Sequence, residues 1–168
     1  MARNNVPNVN VENAQIRFRN FTGEPTKFNK AGGKRTFSVV LDSDLANKLM
    51  EDGWNVKVWE PENAEEPMYH LPVEVSYNLY PPKIYMISGN KKTLLTEETV
   101  AALQYAEYEN VDLIIRPYCW EVNEKSGVKA YVKSMYVTIV EDEFEKKYRD
   151  LDEDEGDGNA SDDGELPF

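Results

Sequence analysis

Period-two alternation of apolar and polar residues in several separate segments, short helices between them, and glycine- and proline-rich breaks predict a mainly β protein. The order of elements is three strands (residues 15–21, 35–41 and 83–88), a helix, then a closing two-strand hairpin. That order predicts an OB fold, a five-stranded Greek-key barrel. A helix and hairpin over residues 43–78 read as an insertion into or beside it. A disordered acidic C-terminal tail completes the chain, so residues 1–13 are expected as a flexible arm, 14–140 as the barrel, 141–149 as a linker and 150–168 as the tail.

Each element has a local reason. The first 13 residues are polar, with five Asn and a Pro, and form a loose arm. Residues 15–21 alternate strictly, which puts Ile16 and Phe18 on a core side and Arg17 and Arg19 on a basic side. Residues 22–34 form a loop rich in turn formers (Gly23, Pro25, Gly32, Gly33) that carries Lys27, Lys30, Lys34 and Phe28. In residues 35–41, Phe37, Val39 and Leu41 point inward. Ser43 caps a short helix with Leu45, Leu49 and Met50 along one side and a stop at Gly53. Residues 54–60 set Val56 and Val58 opposite Lys57 and Trp59, and residues 69–77 return with Leu71, Val73 and Val75 as their apolar side.

Pro81-Pro82 breaks the chain before residues 83–88, where Lys83, Tyr85 and Ile87 share one face. Lys91 and Lys92 follow in a turn. Thr96 caps a helix that reaches about Tyr105, with Val100 and Leu103 inward. Residues 111–122 and 128–140 are long strands joined by a turn at 123–127. On the first, Val111, Leu113, Ile115 and Cys119 form the core set, opposite Arg116, Tyr118 and Trp120. On the second, Lys129, Tyr131 and Lys133 share a face, yet Met135, Val137 and Ile139 continue at the same parity. A bulge or strong bend near Ser134 is the expected cause.

The two long strands thus offer an Arg-Tyr-Trp row beside a Lys-Tyr-Lys row. Flat rings accept unpaired bases by stacking, and interleaved cations hold the phosphates between them. The pattern points to single-stranded nucleic acid. Candidate contacts are Arg17, Arg19, Lys27, Lys30, Lys34, Arg35, Lys57, Trp59, Lys83, Tyr85, Arg116, Tyr118, Trp120, Lys129, Tyr131 and Lys133. The formal charge of −12 does not oppose this, because nine of the 31 acids lie from Asp150 onward. Residues 1–40 carry seven bases against two acids.

The tail ends Asp162-Asp163-Gly164-Glu165-Leu166-Pro167-Phe168. A terminal Phe suits a hydrophobic pocket, its carboxylate suits a basic rim, and Pro167 stiffens the approach. Asp162, Asp163, Glu165, Leu166, Pro167 and Phe168 are therefore the expected partner-binding residues. The tip resembles that of bacterial single-stranded DNA-binding proteins, in which aspartates lead to an apolar residue, Pro and Phe. With a coil reach of roughly 25 Å, the tail is also expected to fold back on the basic face and compete with DNA.

A wider resemblance rests on Ile16-Arg17-Phe18-Arg19-Asn20-Phe21 through Gly32 and Arg35-x-Phe37, on Glu51-Asp52-Gly53-Trp54-Asn55-Val56, on Val111 through Tyr118, and on Ser126-Gly127-Val128-Lys129-Ala130-Tyr131 through Tyr136-Val137. These segments resemble bacteriophage-encoded single-stranded DNA-binding proteins. The resemblance implies an OB fold, sequence-tolerant binding of single-stranded DNA (ssDNA), and a role in replication, recombination or repair with proteins of those processes as partners, in the cytoplasm of a bacterial host.

Other classes fit less well. One Cys and one His give neither an internal disulfide nor a Cys/His zinc set, and no cofactor is expected. No apolar run approaches a membrane span or a signal-peptide core. The paired acids Asp42/Asp44, Glu97/Glu98 and Glu107/Glu109 are explained by helix starts and turns, so a metal-dependent nuclease is the alternative rather than the expectation. A non-DNA-binding acidic adaptor or DNA mimic is the other alternative. A homodimer is left open.

Overall fold

The computed structural model describes residues 6–25, 32–60, 62, 66–78 and 80–141. Its elements are β1 (Val9–Val11), β2 (Ile16–Asn20), β3 (Arg35–Leu41), α1 (Ser43–Glu51), β4 (Lys57–Trp59), β5 (Met68–Val75), β6 (Lys83–Ser88), β7 (Lys91–Leu95), a 3₁₀ turn (Val100–Leu103), β8 (Tyr108–Val122) and β9 (Lys125–Ile139). The strands form one mixed sheet with the path β1-β8-β9-β5-β3-β2. The two ends of this path are consecutive in the chain, so the sheet curls until its edges share the segment between β1 and β2. Ala14 N–H donates to Val111 O (2.7 Å) and Val40 N–H to Gln15 O (3.0 Å), which ties that segment to both sides. With β2, β3, β5, β8 and β9 as its five strands, this is the OB arrangement, including the parallel contact of β5 with β9.

Two expectations about strands are corrected. The third barrel strand is β5, not residues 83–88, so residues 43–78 are not all an insertion. Only α1 and β4 are additions there, and β4 pairs with the first residues of β5 as the expected hairpin. Residues 83–88 instead form β6, which pairs antiparallel with β7 and parallel with β9. Lys91 and Lys92 accordingly lie in a strand, and the turn is at Gly89-Asn90.

The core follows the predicted parities. Phe37, Val39 and Leu41 of β3, Leu71, Val73 and Val75 of β5, and Val111, Leu113 and Ile115 of β8 are all buried. Phe21 stacks on Phe37 at 5.4 Å inside the barrel. Each such ring contributes about 1.5–3 kcal/mol by leaving water. On β9, Val128, Ala130 and Val132 are buried and then Met135 and Val137, so the inward parity switches. Ile114 pairs with Ser134 and Ile115 with Val132, which leaves Lys133 as the extra residue of a β-bulge. The expected break near Ser134 is this bulge.

The helices differ in detail from expectation. Asp42, not Ser43, caps α1, its Oδ1 accepting from Leu45 N–H at 2.8 Å. Ala46 and Leu49 are the buried residues of α1, while Met50 is exposed. Gly53, at φ +96°, ends the helix in a conformation that suits glycine, and its carbonyl accepts from Val128 N–H. The helix expected from Thr96 to Tyr105 is a four-residue 3₁₀ turn, although Val100 and Leu103 are fully buried as expected.

Candidate nucleic-acid interface

The outer face of the β8–β9 ribbon carries alternate side chains in register. Arg116 lies opposite Tyr131, Tyr118 opposite Lys129, and Trp120 opposite Gly127. Tyr118 is 51% exposed and meets Tyr131 edge-on at 6.1 Å. The Arg116 guanidinium carbon sits 4.8 Å from the Tyr80 ring centre and 5.3 Å from that of Tyr131. Trp120 lies over Gly127, where an added Cβ would fall 2.8 Å from the Trp120 ring. Glycine is thus what lets the indole lie flat on β9.

The row continues across the barrel, since Tyr131 neighbours Glu74 of β5 and Glu74 neighbours Thr36 of β3. Glu74 Oε1 binds Lys129 Nζ at 2.8 Å and lies 4.0 Å from Lys34 Nζ. Burial works against the Lys129 charge, but Glu74 and Tyr131 outweigh it and raise the Lys129 pKa above its ordinary value. Lys129 therefore stays charged beside the Tyr131 ring, paired with Glu74.

A second group of rings lies at the β2–β4–β5 side. Phe18, expected in the core, is 60% exposed and has φ +56°. The β2–β3 register shifts between Arg17 and Asn20, and that irregularity turns Phe18 outward. Its ring meets His70 at 5.4 Å and Trp59 at 6.4 Å. Lys57 pairs in register with His70, and Arg17 with Ser38. His70 Nδ1 and Ser38 Oγ share a hydrogen bond of 3.1 Å. Burial, and then the Lys57 ammonium, hold the His70 pKa below its usual value. Phe18 also borders a shallow concavity of about 390 Å³ lined by Ile16, Arg17, Arg19 and Gln104.

Rings and cations arranged in this way can accept flat bases and phosphates. The sequence matches, over residues 1–165, the family model described as "Putative phage ssDNA-binding domain". The chain belongs to this family. Its structure is similar to the single-stranded DNA-binding protein from bacteriophage Enc34 in complex with ssDNA, with TM-score 0.52 and 13% identity over 80% of this chain and 88% of that one. It is also similar to the same phage's protein solved without that description of a complex, with TM-score 0.51 and 14% identity over 94% and 90% of the two chains. At these identities the likeness shows the shared fold. No curated protein matches the sequence.

Within this family member, the predicted contacts fall in several places. Arg116, Tyr118, Trp120, Lys129 and Tyr131 share the ribbon face, with the bulged Lys133 exposed beside them. Arg17, Lys57 and Trp59 gather near Phe18, while Lys83 and Tyr85 lie on β6 and Lys34 at the mouth of its loop. The guanidinium groups of Arg19 and Arg35 have partners within the protein. Arg19 Nη1 donates to Leu103 O (3.1 Å), Gln104 O (3.0 Å) and Ala106 O (2.8 Å), with the guanidinium carbon 3.8 Å from the Tyr108 ring centre. Burial pushes the Tyr108 pKa up to about 12 against the opposing pull of Arg19. Arg35 donates to Phe21 O at 3.2 Å and pairs with Glu97 at 3.7 Å. Lys27 and Lys30, and the tip from Asp162 to Phe168, lie outside the described residues.

Sequence reasoning passed over Phe18, His70, Tyr80, Lys92 and Tyr136. Tyr136 had a signal, since a bulge near Ser134 turns even-numbered residues outward beyond it. Phe18 had none, as perfect alternation assigns it to the core.

Proposed function

We propose that this chain is a sequence-tolerant ssDNA-binding protein that stacks bases on exposed rings and pairs phosphates with the cations between them. The observation that carries the reading is the ribbon face, where Tyr118, Trp120 and Tyr131 are interleaved with Arg116 and Lys129 on one surface. The Enc34 protein, of the same fold, is described in complex with ssDNA, which supports it. In this reading the protein coats and protects ssDNA during phage replication, recombination or repair in the bacterial host cytoplasm. Leu166-Pro167-Phe168 and the acids before them recruit a protein of those processes. The role is binding, not catalysis.

The test is anisotropy titration of labelled oligo-dT with the intact chain and a version ending at Arg149, across a salt series. The expected result is saturable binding with tryptophan quenching and a log–log salt slope of about −0.7 per phosphate contact. Truncation is expected to raise affinity most at low salt, where screening is weak. No binding by either form at low salt would end the ssDNA reading and favour an acidic adaptor.

A further inference from the structure

We propose that the β6–β7 hairpin, which lies outside the five-stranded barrel, is a second stacking site that extends the ssDNA track beyond the ribbon. The inference rests on the ssDNA reading above and concerns how far the bound strand runs. Tyr85 of β6 and Tyr136 of β9 are register partners, and their rings stack at 5.1 Å with 17° between planes. Lys92 Nζ lies 4.7 Å from the Tyr85 ring centre and 5.9 Å from that of Tyr136.

The hairpin is not needed to close the barrel. It attaches to β9 only beyond the Lys133 bulge, where pairing with β5 has ended, and Ile84 and Leu95 anchor its inner side. On the outer side, Tyr136 of β9 beside it stays 38% exposed. Residues 83–95 carry Lys83, Lys91 and Lys92 and not one acid, in a chain whose net charge is −12. A local cationic ribbon with stacked rings suits a polyanion with flat bases better than an apolar protein face.

Continuity gives the direction. Tyr131 and Tyr136 stand on the same outer face of β9, on either side of the bulge. With Lys133 bulged out, they are four strand steps apart, about 13 Å. That spans about four stacked nucleotides at 3.4 Å each, and fewer in an extended strand. Asp112, the β8 register partner of Tyr136, repels phosphate on the opposite side, so the backbone is directed toward Lys92 and Lys83.

The test uses the full chain with Tyr136→Ala, Tyr136→Phe and Lys92→Gln, titrated with oligo-dT of about 4 and about 16 nucleotides, the two ends of the range for one OB domain. Tyr136→Ala is expected to weaken the long oligonucleotide by about 5–100-fold and the short one by less than about twofold. Tyr136→Phe keeps both affinities. Lys92→Gln, a surface change that leaves the fold alone, lowers the salt slope for the long oligonucleotide by about 0.7 and leaves the short one unchanged. Equal losses at both lengths, or no loss for the long one, overturn the second site while leaving ssDNA binding standing. Failure of the unmodified chain to bind either length sinks both readings.

Discussion

Replacing Arg19 by Met separates a phosphate contact from a structural buckle. The Met side chain keeps an apolar stem of similar length but removes the Nη1 donor from three carbonyls and the cation from the Tyr108 ring. Hydrogen bonds to a charged group contribute about 1.5–3 kcal/mol each, but one nitrogen shared among three acceptors counts as one to two such bonds. Adding about 0.5–2 kcal/mol for the ring contact gives a loss of about 2–8 kcal/mol. For a domain of this size that lowers Tm by about 5–30 °C. The assay is urea unfolding followed by tryptophan fluorescence, paired with oligo-dT titration at low temperature, where the variant remains folded. The expected outcome is a large drop in the unfolding midpoint with ssDNA affinity and salt slope unchanged. A wild-type midpoint together with a salt slope reduced by about 0.7 would refute the buckle and restore Arg19 as a phosphate contact.

Gly127→Ala forces the Trp120 ring off β9, because the new Cβ meets it at 2.8 Å. Its tryptophan emission should change, and ssDNA affinity should fall by up to about tenfold, within the 1–3 kcal/mol that one stacked base contributes. Phe18→Gly relieves a positive φ that costs a side-chain-bearing residue about 1–2 kcal/mol, so denaturant titration should show stability within about 1 kcal/mol of wild type after loss of the ring contacts. The same variant should bind oligo-dT about 5–100-fold more weakly, and unchanged affinity would remove Phe18 from the track. His70 binds protons less readily when folded than when unfolded, so stability falls as pH drops through about 6.5 and levels off below the folded-state pKa. Urea midpoints measured from about pH 8 to about pH 5 should lose that slope in His70→Gln.

The sequence made the ribbon legible because alternation along β8 and β9 is long and rich in rings, and because a parity break is itself a signal. Val132 and Met135 are both buried, which alternation allows only if one residue between them is extra. The barrel's third strand was not legible. Residues 68–75 and 83–88 both alternate, and the choice between them is made by β5 touching β9 at Glu74 and Tyr131, a contact between residues far apart in the chain. Arg19 was hidden for the same reason. Its carbonyl partners lie 84 to 87 residues away, and a strand arginine with no visible partner looks like a free cation. Phe18 was hidden by a local event, since one irregularity in β2 reverses its side without altering the residue pattern.

The Lys133 bulge gives β9 two neighbours, and that division shapes the candidate surface. Before the bulge, β9 meets β5 and completes the barrel; after it, β9 meets β6 and supports the accessory hairpin. Without the extra residue, Tyr136 would turn inward if Val132 kept its place, or Val132 would turn outward if Met135 kept its own. The bulge allows both halves to bury their apolar residues while Tyr131 and Tyr136 stay on one outer face. The same residue that reconciles two packing registers is an exposed lysine. Lys133 thus sits in the chain between Tyr131 and Tyr136, exposed at the point where one register gives way to the other.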